Sequence, residues 1–464
     1  MMIGIKDGMV MQRGADNSCA VMLFSELQLT GAEYYGAEGT KTALLEPAES
    51  AGAAASAAAE EKYGYLLRGI PVGGPYTVEL LSADGMHTAF EHIYVGDVWI
   101  LAGQSNMEGV GIFTPQDFAE PRDPHIRALF MTDVWGPARH PLHELWQAVD
   151  AVHHGVGRQQ PNVGIGPGLA FARKMYALLG VPQGLLCCAH GGTDMGCWNP
   201  DLKIKGSASF YGAMLRRYRA NGSNVRGMFW YQGCSDTHNE EQAAAFTKRM
   251  KYFVESCRTD MQQNLPIVQV QIARQAAPEN AAESAAWTQV REQQRQMPDL
   301  IPDLDTISAV AYRLDDGIHL CSESQQLTGE NAAESMYCLL YRSEPLRCGG
   351  ILPGMRLAKA ALAADRIRPW RTDLVLHFEN VHGSLRAGSR ALGFALADAQ
   401  QHIMPNAIYD ISLEGSTIRV RTEGIPRETL ETCFLYYGYG RNPDCNVTDE
   451  KGYALPAFGP LCLK

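Results

Sequence analysis

Residues Gly103–Gly109 read GQSNMEG and follow the apolar run Val98-Trp99-Ile100-Leu101-Ala102. A short apolar run bounded by a turn signal describes a buried strand. A chain that ends such a strand in Gly and then sets Ser105 between an amide and an Asn does one of two things. It makes a tight turn capped by small polar side chains, or it presents a hydroxyl nucleophile at the edge of a sheet.

Working outward, apolar runs recur at 185–189 (LLCCA), 228–231 (MFWY), 267–272 (IVQVQI) and 307–311 (ISAVA). Helical patterns lie between them: GPGLAFARKMYALLG (166–180), AAAFTKRMKYFVESC (243–257) and AAWTQVREQQRQM (285–297). The first has Pro167 near its start and Gly180 at its end, as helix boundaries favour. Strand-helix alternation predicts an α/β fold with a parallel sheet covered on both faces. The flanks differ. Tyr76–Leu80, the Asp84-Gly85 turn and His92–Val95 read as β structure, and so do Leu374–Phe378 and Thr417–Arg421. The expected partition is a β-rich domain over 1–94, an α/β catalytic domain over 95–345 and a β-rich region over 346–464. The Ala-biased stretch 46–61 (EPAESAGAAASAAAEE) reads as an exposed loop insertion, because it has Gly and no apolar face.

Bulk properties narrow the function. The chain has 464 residues, 46% hydrophobic and 20% charged, as expected of a soluble globular protein. A formal charge of -11 argues against a nucleic-acid-binding surface. No run approaches the ~18 apolar residues of a membrane helix. MMIGIKDGMVMQRG lacks the apolar core of a signal peptide, so a cytoplasmic protein without a membrane partner is expected if this start is native. The 12 Cys include no C-x-x-C pair, which argues against a zinc ribbon. His153-His154 is a tempting metal pair, yet no H-E-x-x-H or carboxylate cluster supports it. No metal and no cofactor are expected.

In open α/β sheets, sites form beyond the carboxyl ends of the strands. Four of the five runs lead into Gly and polar residues there: Gly103-Gln104-Ser105-Asn106, His190-Gly191-Gly192-Thr193-Asp194, Gln232-Gly233-Cys234-Ser235-Asp236 and Asp315-Asp316-Gly317-Ile318-His319. Taken singly each is ordinary: Ser105 a helix N-cap, Gly191-Gly192 a turn, His319 a structural histidine. Together they supply acyl transfer. A Ser hydroxyl needs a base to take its proton, and a carboxylate orients that base. Asp316 and His319, three residues apart on one loop, can do both; Asp315 competes for the carboxylate role. The backbone N–H groups of Ser105 and of the Gly-Gly turn, with the Gln232 amide, can hold the developing oxyanion. Cys234 and Ser235 are rival nucleophiles, but no G-x-S-x-G elbow surrounds Ser235. Gln104, His190, Asp194 and Trp198 are candidate substrate contacts. Trp198 reads equally as a sugar-stacking ring or a core tryptophan. Arg274 reads as a clamp on a sugar carboxylate or as a structural ion-pair partner.

The ordered set GQSNM, GGT, WYQG and D-x-x-H resembles the SGNH-hydrolase superfamily, and more closely its sialate O-acetylesterases and related carbohydrate acetylesterases. The likeness extends to Met9-Val10-Met11-Gln12-Arg13, to GGPYTVEL and VGDVWILAGQSNM, to DGIHLCSESQQLTGENAA and to YYGYGRNPDCNVTDEKGYALPAF. The resemblance implies a flavodoxin-like core, with Ser105 as nucleophile, His319 as general base and Asp316 as its partner. It assigns Gly191 and Gln232 to the oxyanion hole. Relatives usually read Gln-Gly-Glu where this chain has Cys234. The implied activity is removal of O-acetyl groups from mono- or oligosaccharides, sialic acid first. The alternatives are an acetylxylan or acetylmannan oligosaccharide esterase, and an inactive carbohydrate-binding protein on the same scaffold. Oligomeric state is left open.

Overall fold

The computed structural model describes residues 2–48, 62–119, 121–278, 280–365, 368 and 370–463. Most of the loop expected at 46–61 lies outside them; Glu46 to Ala48 end the strand Gly39–Ala48. The chain forms two compact units, Met1–Trp230 with Tyr252–Pro266, and Tyr231–Lys251 with Ile267–Lys464. The fold is α/β, with β-rich stretches at both ends of the sequence.

In the first unit, strands lie side by side in the order Met2–Ile3, Ser18–Ser25, Tyr63–Pro71, Gly39–Ala48, Leu29–Gly36, Gly73–Ser82, His87–Gly103, Gln183–Cys187, Ile126–Leu129 and Trp135–Pro137. Pairings up to His87–Gly103 are antiparallel. Beyond it, Gln183–Cys187 runs parallel to both of its neighbours. Val98 to Ala102 and His92 to Val95, which read as separate pieces in the sequence, are therefore parts of one strand of 17 residues. Its first part is a mostly exposed hairpin arm, and everything from Ile93 on is buried.

The sequence around the junction explains how one strand serves two kinds of ladder. Val10–Gln12 pairs parallel with Tyr94–Gly96. The Gln12 carboxamide accepts the Val98 N–H at 2.8 Å. Asp97 is fully buried, and Arg13 meets both its oxygens through Nε and Nη2 at 2.8 Å each. That forked geometry offsets the desolvation of the carboxylate. At Gly96 a Cβ would lie 1.9 Å from the Pro182 carbonyl oxygen. Only glycine lets the two backbones approach so closely.

The helix expected over 166–180 spans Gly168–Leu179 and stops at Gly180, whose φ of 67° is left-handed. Its N–H returns to the Tyr176 carbonyl at 2.8 Å, a glycine-dependent C-terminus.

In the second unit Ile267–Gln271 and Leu304–Ser308 pair in parallel, with the helix Ala281–Leu300 between them in sequence. The latter strand starts before the apolar run that suggested it. Asp305 and Thr306 hid its beginning, because each polar side chain finds a buried partner, Ser335 and Gln269 respectively. Two antiparallel sheets follow, one of Arg356–Ala364, Thr372–Glu379, Thr417–Thr422 and Ile408–Glu414, the other of Phe394–Ala397, Phe434–Tyr437 and Phe458–Cys462. Leu374, Leu376, Ile418, Val420, Leu435 and Phe458 share one core. Gln271 holds Ala457 by both its N–H and its C=O, at 2.8 Å each. Arg291, fully buried, donates to the carbonyls of Ala273, Gly438 and Gly440. The C-terminal segment is thus an integral part of this unit. Among the described residues, no helix is long and apolar enough to cross a membrane.

The Gly96 contact yields a test. Gly96→Ala should cost about 3 kcal/mol, the upper part of the overpacking range, since backbone rather than a flexible side chain must yield. Gly157→Ala, where a Cβ meets nothing within 4 Å, should leave the melting temperature unchanged in the same thermal-denaturation assay.

Candidate active site

The strand His87–Gly103 ends at Gly103, with φ of 132°. Gln104 is still extended and occupies the N-cap position, without a side-chain capping bond. Ser105 begins a single helical turn, Ser105–Glu108, of which Asn106, Met107 and Glu108 are buried. Ser105 is partly exposed. It is therefore not the N-cap that a lone strand-Gly-polar pattern suggests. The turn closes with the Gly109 N–H on the Ser105 carbonyl at 2.9 Å. Gly109 has φ of 101°, and a Cβ there would press on Gly164 and Gly166 backbone at 2.8 and 2.9 Å.

The neighbouring parallel strand carries the GGT turn to this place. Its ladder continues past Cys187, with the Cys188 N–H on the Leu101 carbonyl at 2.9 Å and the His190 N–H on that of Gly103 at 3.0 Å. Gly191 arrives against Ser105: a Cβ on it would lie 3.3 Å from the Ser105 Cβ and 3.0 Å from Glu108 Oε2. The Gly191 N–H donates to that Oε2 at 2.6 Å. Glu108 Oε1 accepts from Gln159 Nε2 at 2.8 Å. Burial pushes the Glu108 carboxyl up to about 7, against the opposing pull of the Gly191 N–H and the Gln159 amide. His143 donates Nδ1–H to the Glu108 carbonyl at 2.9 Å; burial pushes it down to about 3, so it is neutral. Reading for nucleophile, base and acid passed over Glu108, although it lies in the quoted heptapeptide. Its position three residues after Ser105 was the available signal, because i and i+3 share a helix face.

The other groups belong to the second unit. Asp316 Oδ1 accepts the N–H groups of Ile318 and His319, both at 2.8 Å. Its Oδ2 meets His319 Nδ1 at 2.6 Å. The loop is closed by the Asp315 N–H on the His319 carbonyl at 2.8 Å and by the Leu314–Leu320 bridge. Asp316, rather than Asp315, is the acid on the imidazole. Partial burial raises the Asp316 carboxyl, but the two backbone N–H donors and the His319 ring outweigh it and hold it below its usual value. Gln232 is buried, and its amide nitrogen donates to Asp236, itself fully buried. A Cβ on Gly233, which has φ of 137°, would strike Gln294 Nε2 at 2.8 Å. Asp236 was not singled out in the sequence; it lies four residues after the amide it orients.

Several expectations change. Trp198 is fully buried, its Nε1 donates to Thr193 Oγ1 at 3.0 Å, and it packs edge-on against Trp230 at 5.2 Å. It offers no face to a sugar; it is the core tryptophan. Gln104 is likewise buried. The two imidazoles of His190 and His153 stack, with Nδ1 atoms 2.8 Å apart. Burial depresses both, His153 to about 3, so one neutral ring donates to the other. Asp194 Oδ1 accepts the Cys197 N–H at 2.7 Å, shaping the turn. Arg274 Nη1 donates to Asn442 Oδ1 at 2.8 Å, an amide rather than an acid. The Cys234 thiol is buried and pushed up to about 12 by desolvation, which removes it as a thiolate nucleophile. Among the described residues, no group of three or more His, Cys, Asp or Glu is arranged to hold a metal ion.

Glu108 makes stability depend on pH in a predictable direction. The unfolded chain releases this proton near 4.5 and the folded chain near 7. The folded state is therefore penalised progressively as pH rises from about 4.5 to about 7, by roughly 3 kcal/mol in full. Glu108→Gln abolishes the ionisation. Its stability relative to wild type should rise by that order between pH 5 and pH 8 in paired thermal melts; a pH-independent difference would contradict the raised pKa.

Residues 95–338 match the family described as "Carbohydrate esterase, sialic acid-specific acetylesterase". A probable carbohydrate esterase of Arabidopsis thaliana is 31% identical over 199 residues, covering 38% of this chain and 68% of that protein. A carbohydrate acetylesterase from Xanthomonas citri has the same fold, with a TM-score of 0.71 at 20% identity over 98% of each chain. With more than half of its length matched, this chain belongs to the carbohydrate esterase family of sialic acid-specific acetylesterases and is a carbohydrate esterase.

Proposed function

We propose that the chain is a cytoplasmic serine O-acetylesterase of the SGNH-hydrolase superfamily, with residues 95–345 as its catalytic domain and O-acetylated sialic acid as its first substrate. The observation that supports this most is the packing of Gly191 against Ser105, 3.3 Å from Cβ to Cβ position, which sets a candidate oxyanion donor beside the hydroxyl. The preassembled Asp316–His319 pair supports it second.

In this reading Ser105 Oγ attacks the acetyl carbonyl carbon while His319 Nε2 takes the hydroxyl proton. The carbonyl oxygen becomes an oxyanion, held by the Ser105 and Gly191 N–H groups and the Gln232 amide. Each such donor is typically worth ~3–4 kcal/mol of barrier. Asp316 fixes the imidazole tautomer and stabilises the imidazolium. Collapse breaks the ester C–O bond, and the sugar oxygen leaves with the proton from His319. Water then gives a proton to His319 as its oxygen attacks the acyl carbon. Collapse releases acetate and returns the proton to Ser105. The Gly191 N–H must be shared with Glu108 or released by it when the oxyanion forms.

The test is release of acetate and sugar from O-acetylated sialic acid, beside acetylated xylo- and manno-oligosaccharides and a chromogenic acetyl ester. Ser105→Ala should abolish turnover on all of them; equal rates in wild type and variant would refute the mechanism. Asp316→Asn should lower kcat by roughly 10³–10⁴-fold with little change in KM. Faster cleavage of the xylo- or manno-oligosaccharides would move the substrate assignment.

A further inference from the structure

The first unit contains a cavity of about 320 Å³ that the mechanism above does not use. That volume is near the lower end of small-ligand pockets, enough for a sugar ring or one large substituent. Phe113 and Trp146 give it apolar wall, while Arg122, Arg139, Arg158 and Arg173 line it with guanidinium groups. Among the described residues, two carboxylates share the lining, Asp117 and Glu144. Both are engaged locally. Asp117 Oδ2 accepts from the N–H and Oγ1 of Thr114 at 2.7 Å, and Glu144 takes Arg139 at 3.2 Å. Arg122 and Arg158 are exposed, and among the described residues neither has a carboxylate partner. His140, also in the lining, is half-buried, and desolvation pushes it down to about 4, so it adds no charge. In a chain of net charge -11, this is a local concentration of the opposite sign.

A second observation points to a ligand. Gln159 lines the cavity, and its Oε1 is buried without a hydrogen-bond partner. Such atoms are rare in native proteins, and a sugar hydroxyl would supply the missing donor once the amide turned toward the cavity. Nε2 of the same amide holds Glu108, whose other oxygen holds the Gly191 N–H beside Ser105. One side chain therefore joins the cavity wall to the nucleophile turn.

We propose that this cavity is an anion-binding subsite, in which Arg122 and Arg158 take an oxyanion substituent of the acylated sugar, a carboxylate or a phosphate, that lies away from the ester being cut. Guanidinium forks match both groups. The inference rests on the esterase reading and adds where charge is read. It moves that role from Arg274, which is held by Asn442, to a lined pocket.

The experiment compares kcat/KM for three acetyl esters, on a neutral sugar, a sugar acid and a sugar phosphate, in wild type, Arg158→Gln and Arg122→Gln/Arg158→Gln. Wild type should prefer at least one anionic ester. The double variant should lose about tenfold or more on that ester relative to the neutral one, as the loss of a charge-assisted contact implies, and chiefly through KM. The single variant, at an exposed position, guards against misfolding and should show a smaller shift in the same direction. Comparing acid with phosphate decides which oxyanion the subsite takes. No anionic preference in wild type, or equal losses on neutral and anionic esters, overturns the subsite and leaves the esterase reading intact. Should no ester be cleaved, the esterase reading fails instead. Titration of the deacetylated sugar acid and of inorganic phosphate into wild type and double variant then tests the subsite directly, with binding lost in the variant expected and equal or absent binding refuting it.

Discussion

The close approach of two backbones at Gly96 governs the first unit. The Pro182 carbonyl occupies the space a side chain would need, and it accepts the Asp97 N–H at 2.9 Å. This contact begins the parallel ladder, which runs from Asp97 opposite Gln183 to Leu101 opposite Cys187. Arg13 and Gln12 neutralise and tether the buried Asp97 at the same point. Strand register has a period of two, so a slip of one residue would turn every side chain to the other face. The placement of Gly191 against Ser105 is the far end of this register.

Glu108 shows why the turn Ser105–Glu108 is more than a scaffold for a hydroxyl. In the proposed mechanism, a carboxylate beside the developing oxyanion would oppose that charge. Burial counters this by favouring the neutral acid up to about pH 7, as in other sites where environment sets the charge state of a carboxyl group. The same residue anchors the GGT turn through Gly191 and the outer wall through Gln159. Neutral His143 secures its backbone. Asp236 orients the Gln232 amide in the second unit as Glu108 orients the Gly191 turn in the first.

Much of the candidate site was legible because its parts are local in sequence. Asp316 and His319 meet through a four-residue loop in which every hydrogen bond to the Asp316 carboxylate comes from within three residues. Ser105 stands out because an apolar run and two glycines frame it. Helix boundaries were visible where periodicity ends in glycine, as at Gly180. The start of Leu304–Ser308 was not, because buried polar side chains with distant partners carry no periodic signal. Trp198 was ambiguous for a related reason. A tryptophan after a Gly-rich turn is equally at home on a rim or in a core, and only its packing with Trp230, Phe210 and Phe253 decides.

By itself the sequence determined an α/β chain with β-rich flanks, a serine at a strand end, and an Asp–His loop built to work as a pair. Those properties follow from alternation, periodicity and contacts a few residues apart. Tertiary structure alone decided that Glu108 faces the Gly191 N–H, that Arg13 belongs to Asp97, and that four arginines from separate segments line one cavity. Each of these joins residues far apart in the chain, where neither spacing nor composition fixes distance. Burial then favours the neutral form of the Glu108 carboxyl.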